Sequence, residues 1–143
     1  MKPTLLIAES DAELRDAYRR FFTERGNDVE TAADGLDCLE KLRRLTPTVC
    51  VLDRELRWCG ADGVLAWLRE ERATSGVSVV LTATACYPPD VAVDIEPPVV
   101  QFLPKPFMLT ALLESVRRLT ARMGHEEPSI LNRPSASPEY FIG

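Results

Sequence analysis

Short apolar runs alternating with helically spaced apolar positions constrain this chain more than any other feature. Thr4 to Ala8, Val29 to Ala32, Val49 to Leu52, Val77 to Leu81 and Val99 to Leu103 read as strands. After the first strand the spacing turns helical, at Leu14, Ala17, Tyr18 and Phe21, with acidic residues in the first turn and Gly26 as a stop. A second helix follows at Leu36, Leu39, Leu42 and Leu45, ended by Pro47, and a loop with Gly60 and Gly63 leads into a third at Val64, Trp67 and Leu68. The last starts near Met108 and continues through Leu109, Leu112, Leu113, Val116, Leu119 and Met123. Strand and helix patterns taking turns point to βα units around a parallel sheet.

The third run ends abruptly. TVCVLDRELRW passes from Leu52 to Asp53 and straight into further charges. Asp is a common turn and capping residue, which is the ordinary explanation. There is also a chemical one, because ligands of open α/β sheets bind outside the carboxyl ends of the strands. The other strand ends weigh on the choice. Glu9, Ser10 and Asp11 follow the first strand, Thr82 the fourth and Lys105 the fifth, and parallel strands bring them to one edge with Asp53. Phosphoryl transfer to an aspartate calls for such a set. One carboxylate attacks, others hold a divalent cation, and a hydroxyl and an ammonium hold the phosphoryl oxygens.

With 143 residues the chain suits one domain with a core of its own, needing neither disulfide nor metal to hold it. A net charge of -5 argues against a nucleic-acid surface, whose affinity comes mainly from neutralising phosphates. MKPTLLIAES holds too short an apolar run for a signal peptide and no stretch approaches a membrane span, so a cytoplasmic protein is expected. Cys38, Cys50, Cys59 and Cys86 lack paired spacing and the single histidine, His125, lies near the end, which leaves no zinc pattern. Cys38 and Cys50 read as small buried hydrophobes and Cys59 as more exposed. Arg117, Arg118 and Arg122 read as a solvated helix face.

The segments LLIAESD, VCVLD, DGVLAWLRE, VVLTA and FLPKPF resemble the receiver domain of two-component response regulators, over roughly Lys2 to Met123. The most specific is FLPKPF, with a lysine between prolines. The resemblance implies a flavodoxin-like, doubly wound sheet of five parallel strands in the order 2-1-3-4-5, flanked by helices. It implies a receiver domain over 1–123 and leaves 124–143, which is Pro- and Ser-rich, as a flexible tail, with Tyr140 to Ile142 able to dock on a surface. By the same resemblance Asp53 is the phosphoacceptor, and Thr82 and Lys105 contact the phosphoryl group. Mg2+ is held by Glu9, Asp53 and the backbone carbonyl of Glu55, and Thr82 with Phe102 forms the switch. The chain would then be a signalling protein rather than an enzyme. It would take its phosphoryl group from a histidine kinase or phosphotransfer protein and signal through protein contacts.

Several positions depart from the family pattern. The adjacent acidic pair after the first strand is Glu9-Ser10, and a neutral hydroxyl should weaken the Mg2+ site. Asp11 is one position late and suits a helix N-cap. The Glu55 carboxylate either restores the missing charge or turns away and obstructs. Arg57 stands roughly where the family often has proline, in a lengthened loop, and Trp58 is either a lid over the site or, as large aromatics usually are, core. The two Pro-Pro pairs in CYPPDVAVDIEPP leave the family's fourth helix short or irregular. Phe102 has no hydroxyl to bond when buried.

Three readings follow. The first is a working receiver. The second is a pseudo-receiver that binds a partner constitutively, favoured by Ser10 and Glu55. The third and remotest is an aspartate-nucleophile phosphohydrolase, for which the second acid of the motif is Glu55 rather than Asp and no acidic pair closely follows Lys105. No output module is visible, so output through a protein partner, a homodimer or a longer chain is expected.

Overall fold

Leu5, Leu6, Ile7 and Ala8 are all buried, so the first strand has no solvent face and must be covered on both sides. In the computed structural model, which describes residues 4–84 and 96–124, the covering is done by helices packed on both faces of one sheet. The elements are β1 (Thr4–Ala8), α1 (Ala12–Glu24), β2 (Asp28–Ala32), α2 (Gly35–Leu45), β3 (Val49–Asp53), α3 (Gly60–Ser75), β4 (Ser78–Thr84), β5 (Val99–Lys105) and α4 (Leu109–Gly124). All five strands run parallel in the order β2-β1-β3-β4-β5, the order expected from the sequence.

Alternation along each strand builds two cores. Leu5, Ile7 and Val51 point to the side of α1 and α4, where Phe22, Leu112 and Val116 meet them. Leu6, Leu52 and Leu81 point to the side of α2 and α3, against Leu42, Val64, Leu65 and Leu68. Truncating any of these to alanine costs about 2–5 kcal/mol in a close-packed interior. Strand β2, at the edge, alternates instead, with Asp28 and Glu30 exposed. The helices begin where the sequence supplies caps. Asp11 Oδ1 accepts from the amides of Glu13 and Leu14 at 2.9 and 3.2 Å, and Asp34 Oδ1 from that of Asp37 at 2.9 Å.

Some details differ from the helical spacing. Leu36 is 60% exposed, and of the four leucines at helical spacing in α2 only Leu42 is fully buried, beside Gly35 and Cys38. Phe22, not Phe21, is the fully buried aromatic of α1, and Phe21 instead lies under the Arg25 guanidinium. Gly60 and Gly63 belong to the first turn of α3 rather than to a loop. The expected irregular segment after β4, Cys86, the C-terminal tail and His125 lie outside the described residues.

Candidate functional site

The carboxyl ends of β1, β3, β4 and β5 converge on Asp53, the last residue of β3 and fully buried. A charge in that position needs partners, since transfer into an apolar medium is otherwise unfavourable by many kcal/mol. It has four. Glu55 N–H donates to Oδ1 at 3.0 Å, while Ser10 donates to Oδ2 through both its N–H, at 3.1 Å, and its hydroxyl, at 2.8 Å. The Lys105 ammonium lies 3.5 Å from Oδ1. The same ammonium reaches Glu9 at 3.0 Å and so sits between two buried carboxylates. Thr82 is the register partner of Asp53 on β4, buried, and its carbonyl accepts from the Arg54 amide at 2.7 Å.

These contacts set the charge states. Burial works to raise the Asp53 carboxyl, but the amides of Glu55 and Ser10, the Ser10 hydroxyl and the charge on Lys105 outweigh it and hold the group below the ordinary aspartate value. Glu9 goes the other way: burial, helped by the charge on Asp53, lifts it above the usual glutamate range despite the Asp11 amide and Lys105. For Lys105, burial lowers and the two carboxylates raise, and the carboxylates prevail.

Glu9, Ser10, Asp53, Thr82 and Lys105 are thus brought together. Glu55 is divided: its amide is in the site, but its exposed carboxylate turns to β4 and accepts from the Thr84 hydroxyl at 2.9 Å. Phe102 is half-buried and packs on the core shared with α2 and α3. Cys59 is exposed, and Cys38 and Cys50 are buried, as expected. The core reading of Trp58 is overturned. Its side chain is 69% exposed, and with Ser10, Asp11, Asp34, Glu55 and Arg57 it lines a cleft of about 500 Å³ beside the site. The backbone explains why: Trp58 and Cys59 have φ of 53° and 83°, a left-handed turn that swings the indole away from the sheet. The turn is clamped to α2, where the Gly35 amide donates to the Arg57 carbonyl at 2.8 Å and a Cβ on Gly35 would strike the Trp58 carbonyl.

Two contributors were not legible as site residues. Arg15 donates to the Glu9 carbonyl at 2.8 Å and braces the turn after β1. Tyr18 is buried and stacks on Phe107, with ring centroids 6.1 Å apart, just beyond Lys105. Arg15 reaches back across the turn to Glu9, and Phe107 comes from beyond β5 to meet Tyr18, pairings that a linear pattern does not reveal.

For a divalent cation the side-chain donors are hard oxygens, the buried carboxylates of Glu9 and Asp53. Mg2+ is commonly bound by one or two carboxylates with waters completing its octahedron, so the set suits it. It is sparse, however. Among the described residues no group of three or more His, Cys, Asp or Glu side chains is placed to hold a metal.

A doubly wound sheet with a carboxylate, a hydroxyl and an ammonium at adjoining strand ends is the arrangement of a signalling receiver domain. The chain belongs to the response regulator receiver domain family, whose model matches residues 5–117. Among its relatives, the transcriptional regulatory protein AfsQ1 of Streptomyces coelicolor is 33% identical over 125 residues, covering 87% of this chain and 54% of that protein. The DNA-binding response regulator MtrA of Mycobacterium tuberculosis is 28% identical over 132 residues, covering 92% and 57%. The chain therefore spans little more than half the length of these relatives.

Among solved structures, the receiver domain of a putative Luxo repressor protein from Vibrio parahaemolyticus superposes with a TM-score of 0.76 at 24% identity, covering 85% of this chain and 92% of that one. A CheY-like receiver from Methanospirillum hungatei gives 0.77 at 18%, covering 86% and 98%. At these identities the likeness is of fold. Receiver domains in general bind Mg2+, interact with histidine kinases and serve signalling rather than enzymatic turnover. Among the described residues no helix is long and apolar enough to cross a membrane.

Proposed function

We propose that this receiver domain, spanning 1–123, accepts a phosphoryl group on Asp53 from a histidine kinase or phosphotransfer protein and passes the change on through protein contacts. The observation that carries the reading is the Lys105 ammonium held between Glu9 and Asp53, with Thr82 in register beside the nucleophile. Asp53 stays ionised at neutral pH, as a nucleophile must. Lys105 and the Thr82 hydroxyl are within one side chain's reach of a phosphoryl group on it, and Phe102, next to Leu103, which pairs with Thr82, would follow a movement of that hydroxyl. Glu9, Asp53 and the Glu55 carbonyl would hold Mg2+, whose chemistry when bound is to offset the charge gathering on the phosphoryl oxygens. With Ser10 neutral, that ion is held more weakly than by two adjacent acids. The domain is cytoplasmic in this reading, followed by a flexible tail over 124–143, and its output runs through a protein partner or a second copy.

A second reading keeps the fold without the chemistry. Ser10 hydrogen-bonded onto Asp53, and Glu55 turned to Thr84, favour a pseudo-receiver. Intact mass after incubation with acetyl phosphate, with and without magnesium, decides between them. An adduct on wild type that is absent from Asp53→Asn supports the receiver. Absence from both, with an adduct gained on Ser10→Asp, supports the pseudo-receiver.

A further inference from the structure

Ser10 stands where an acidic pair would place its second carboxylate, and its effect on Asp53 is the reverse of a carboxylate's. We propose that Ser10 is a positioning residue for the nucleophile, a role that rests on the phosphoacceptor reading above. Its amide and hydroxyl meet on Oδ2 at 3.1 and 2.8 Å, whereas Oδ1 has the Glu55 amide at 3.0 Å and the Lys105 ammonium at 3.5 Å. The two oxygens are therefore unequal. Oδ2 is tied to the turn after β1, and Oδ1 faces the ammonium that is to meet the phosphoryl oxygens.

A carboxylate at position 10 could only accept; it would repel Asp53, and a cation would have to sit between them to align the nucleophile. The serine donates instead, so part of that alignment is built into the chain. In the transfer, an Oδ1 lone pair forms the bond to phosphorus. The bond from phosphorus to the donor's leaving atom breaks with its electron pair going to the leaving group. No proton moves at Asp53, which is already ionised. Oδ2 keeps its hydrogen bonds to Ser10 throughout.

The test follows adduct formation from acetyl phosphate by mass, from chelator-treated samples up to saturating magnesium, on wild type, Ser10→Ala, Ser10→Thr and Ser10→Asp. Wild type and Ser10→Thr should keep a slow cation-free rate, and Ser10→Ala should lose about tenfold of it, the value of one charge-assisted hydrogen bond. Ser10→Asp should outrun wild type at saturating magnesium and fall below it under chelation. Where magnesium supports an adduct, equal cation-free rates in wild type and Ser10→Ala, zero included, overturn the proposal.

Calorimetric magnesium titration of the unphosphorylated proteins is the second readout. Ser10→Ala should bind the ion no more weakly than wild type; weaker binding would make the hydroxyl a ligand and also overturn the proposal. If no variant forms an adduct, the phosphoacceptor reading falls. Ser10 is then judged by the Asp53 carboxyl carbon in 13C NMR, which should shift on Ser10→Ala but not on Ser10→Thr. An unmoved resonance counts against it.

Discussion

The Ser10 hydroxyl donates to Asp53 Oδ2 at 2.8 Å across 43 residues of sequence, joining the ends of two adjacent strands. This bond gives the strand-end site a donor where an acidic pair would give it a second negative charge. The ammonium of Lys105 then has two carboxylates to satisfy, Glu9 and Asp53.

Removing that ammonium should be costly. Lys105→Met leaves two buried carboxylates facing each other without a counter-charge, and a loss of about 3 kcal/mol or more is expected, in line with breaking a buried ion pair. Urea unfolding measures it. Adding magnesium should stabilise Lys105→Met more than wild type and so recover part of the loss. A loss under 1 kcal/mol would mean that the carboxylates are solvated.

Acid should act through Asp53. Its folded-state pKa lies below the unfolded value of about 3.9, so its contribution is full above that value and is lost as pH falls through the lower, folded one. Glu9, raised on folding, opposes this: protonating it below its folded-state pKa relieves a burden carried at neutral pH. Lys105 acts at the other extreme, its contribution complete below about 10.4 and lost as pH rises through its raised value. Urea midpoints from pH 7 to pH 3 should therefore fall less in Asp53→Asn than in wild type and fall more in Glu9→Gln. Parallel curves would remove both attributions.

Trp58 should be dispensable for folding. Its indole is exposed and its φ of 53° strains any residue but glycine, so Trp58→Gly should be neutral or stabilising by up to about 1 kcal/mol. The indole fluorescence lost in the variant should be that of a solvent-exposed ring. Destabilisation beyond about 2 kcal/mol, read by thermal or urea unfolding, would show the ring to be packed.

Gly35 should tolerate nothing larger. A methyl there meets the Trp58 carbonyl and approaches the Gly60 amide to 2.7 Å, both backbone atoms that cannot swing aside. Gly35→Ala should cost about 1–3 kcal/mol and loosen the turn from Arg57 to Gly60. Faster amide exchange at Gly35, whose proton is bound to Arg57, would report the loosening; an unchanged exchange rate would argue against the clamp.

What the sequence by itself determined is what local period and strand-end chemistry encode. The runs TLLIA and VCVL fixed buried strands, the alternation with helices fixed a parallel sheet, and a parallel sheet gathers Glu9, Ser10, Asp53, Thr82 and Lys105 on one edge. Asp11 was readable as a cap because a cap bonds to residues two and three positions away. Tertiary structure alone decided the rest. The outward turn of Trp58 depends on a left-handed backbone held by α2, the Glu55 carboxylate chose Thr84 on a neighbouring strand, and Ser10 became a donor to Asp53 rather than merely a missing acid. The physical reason is range. Periodicity and capping act over one helical turn or one strand, whereas side-chain rotamers and hydrogen-bond partners are selected by atoms tens of residues away, which only the folded packing brings within 3 Å or so.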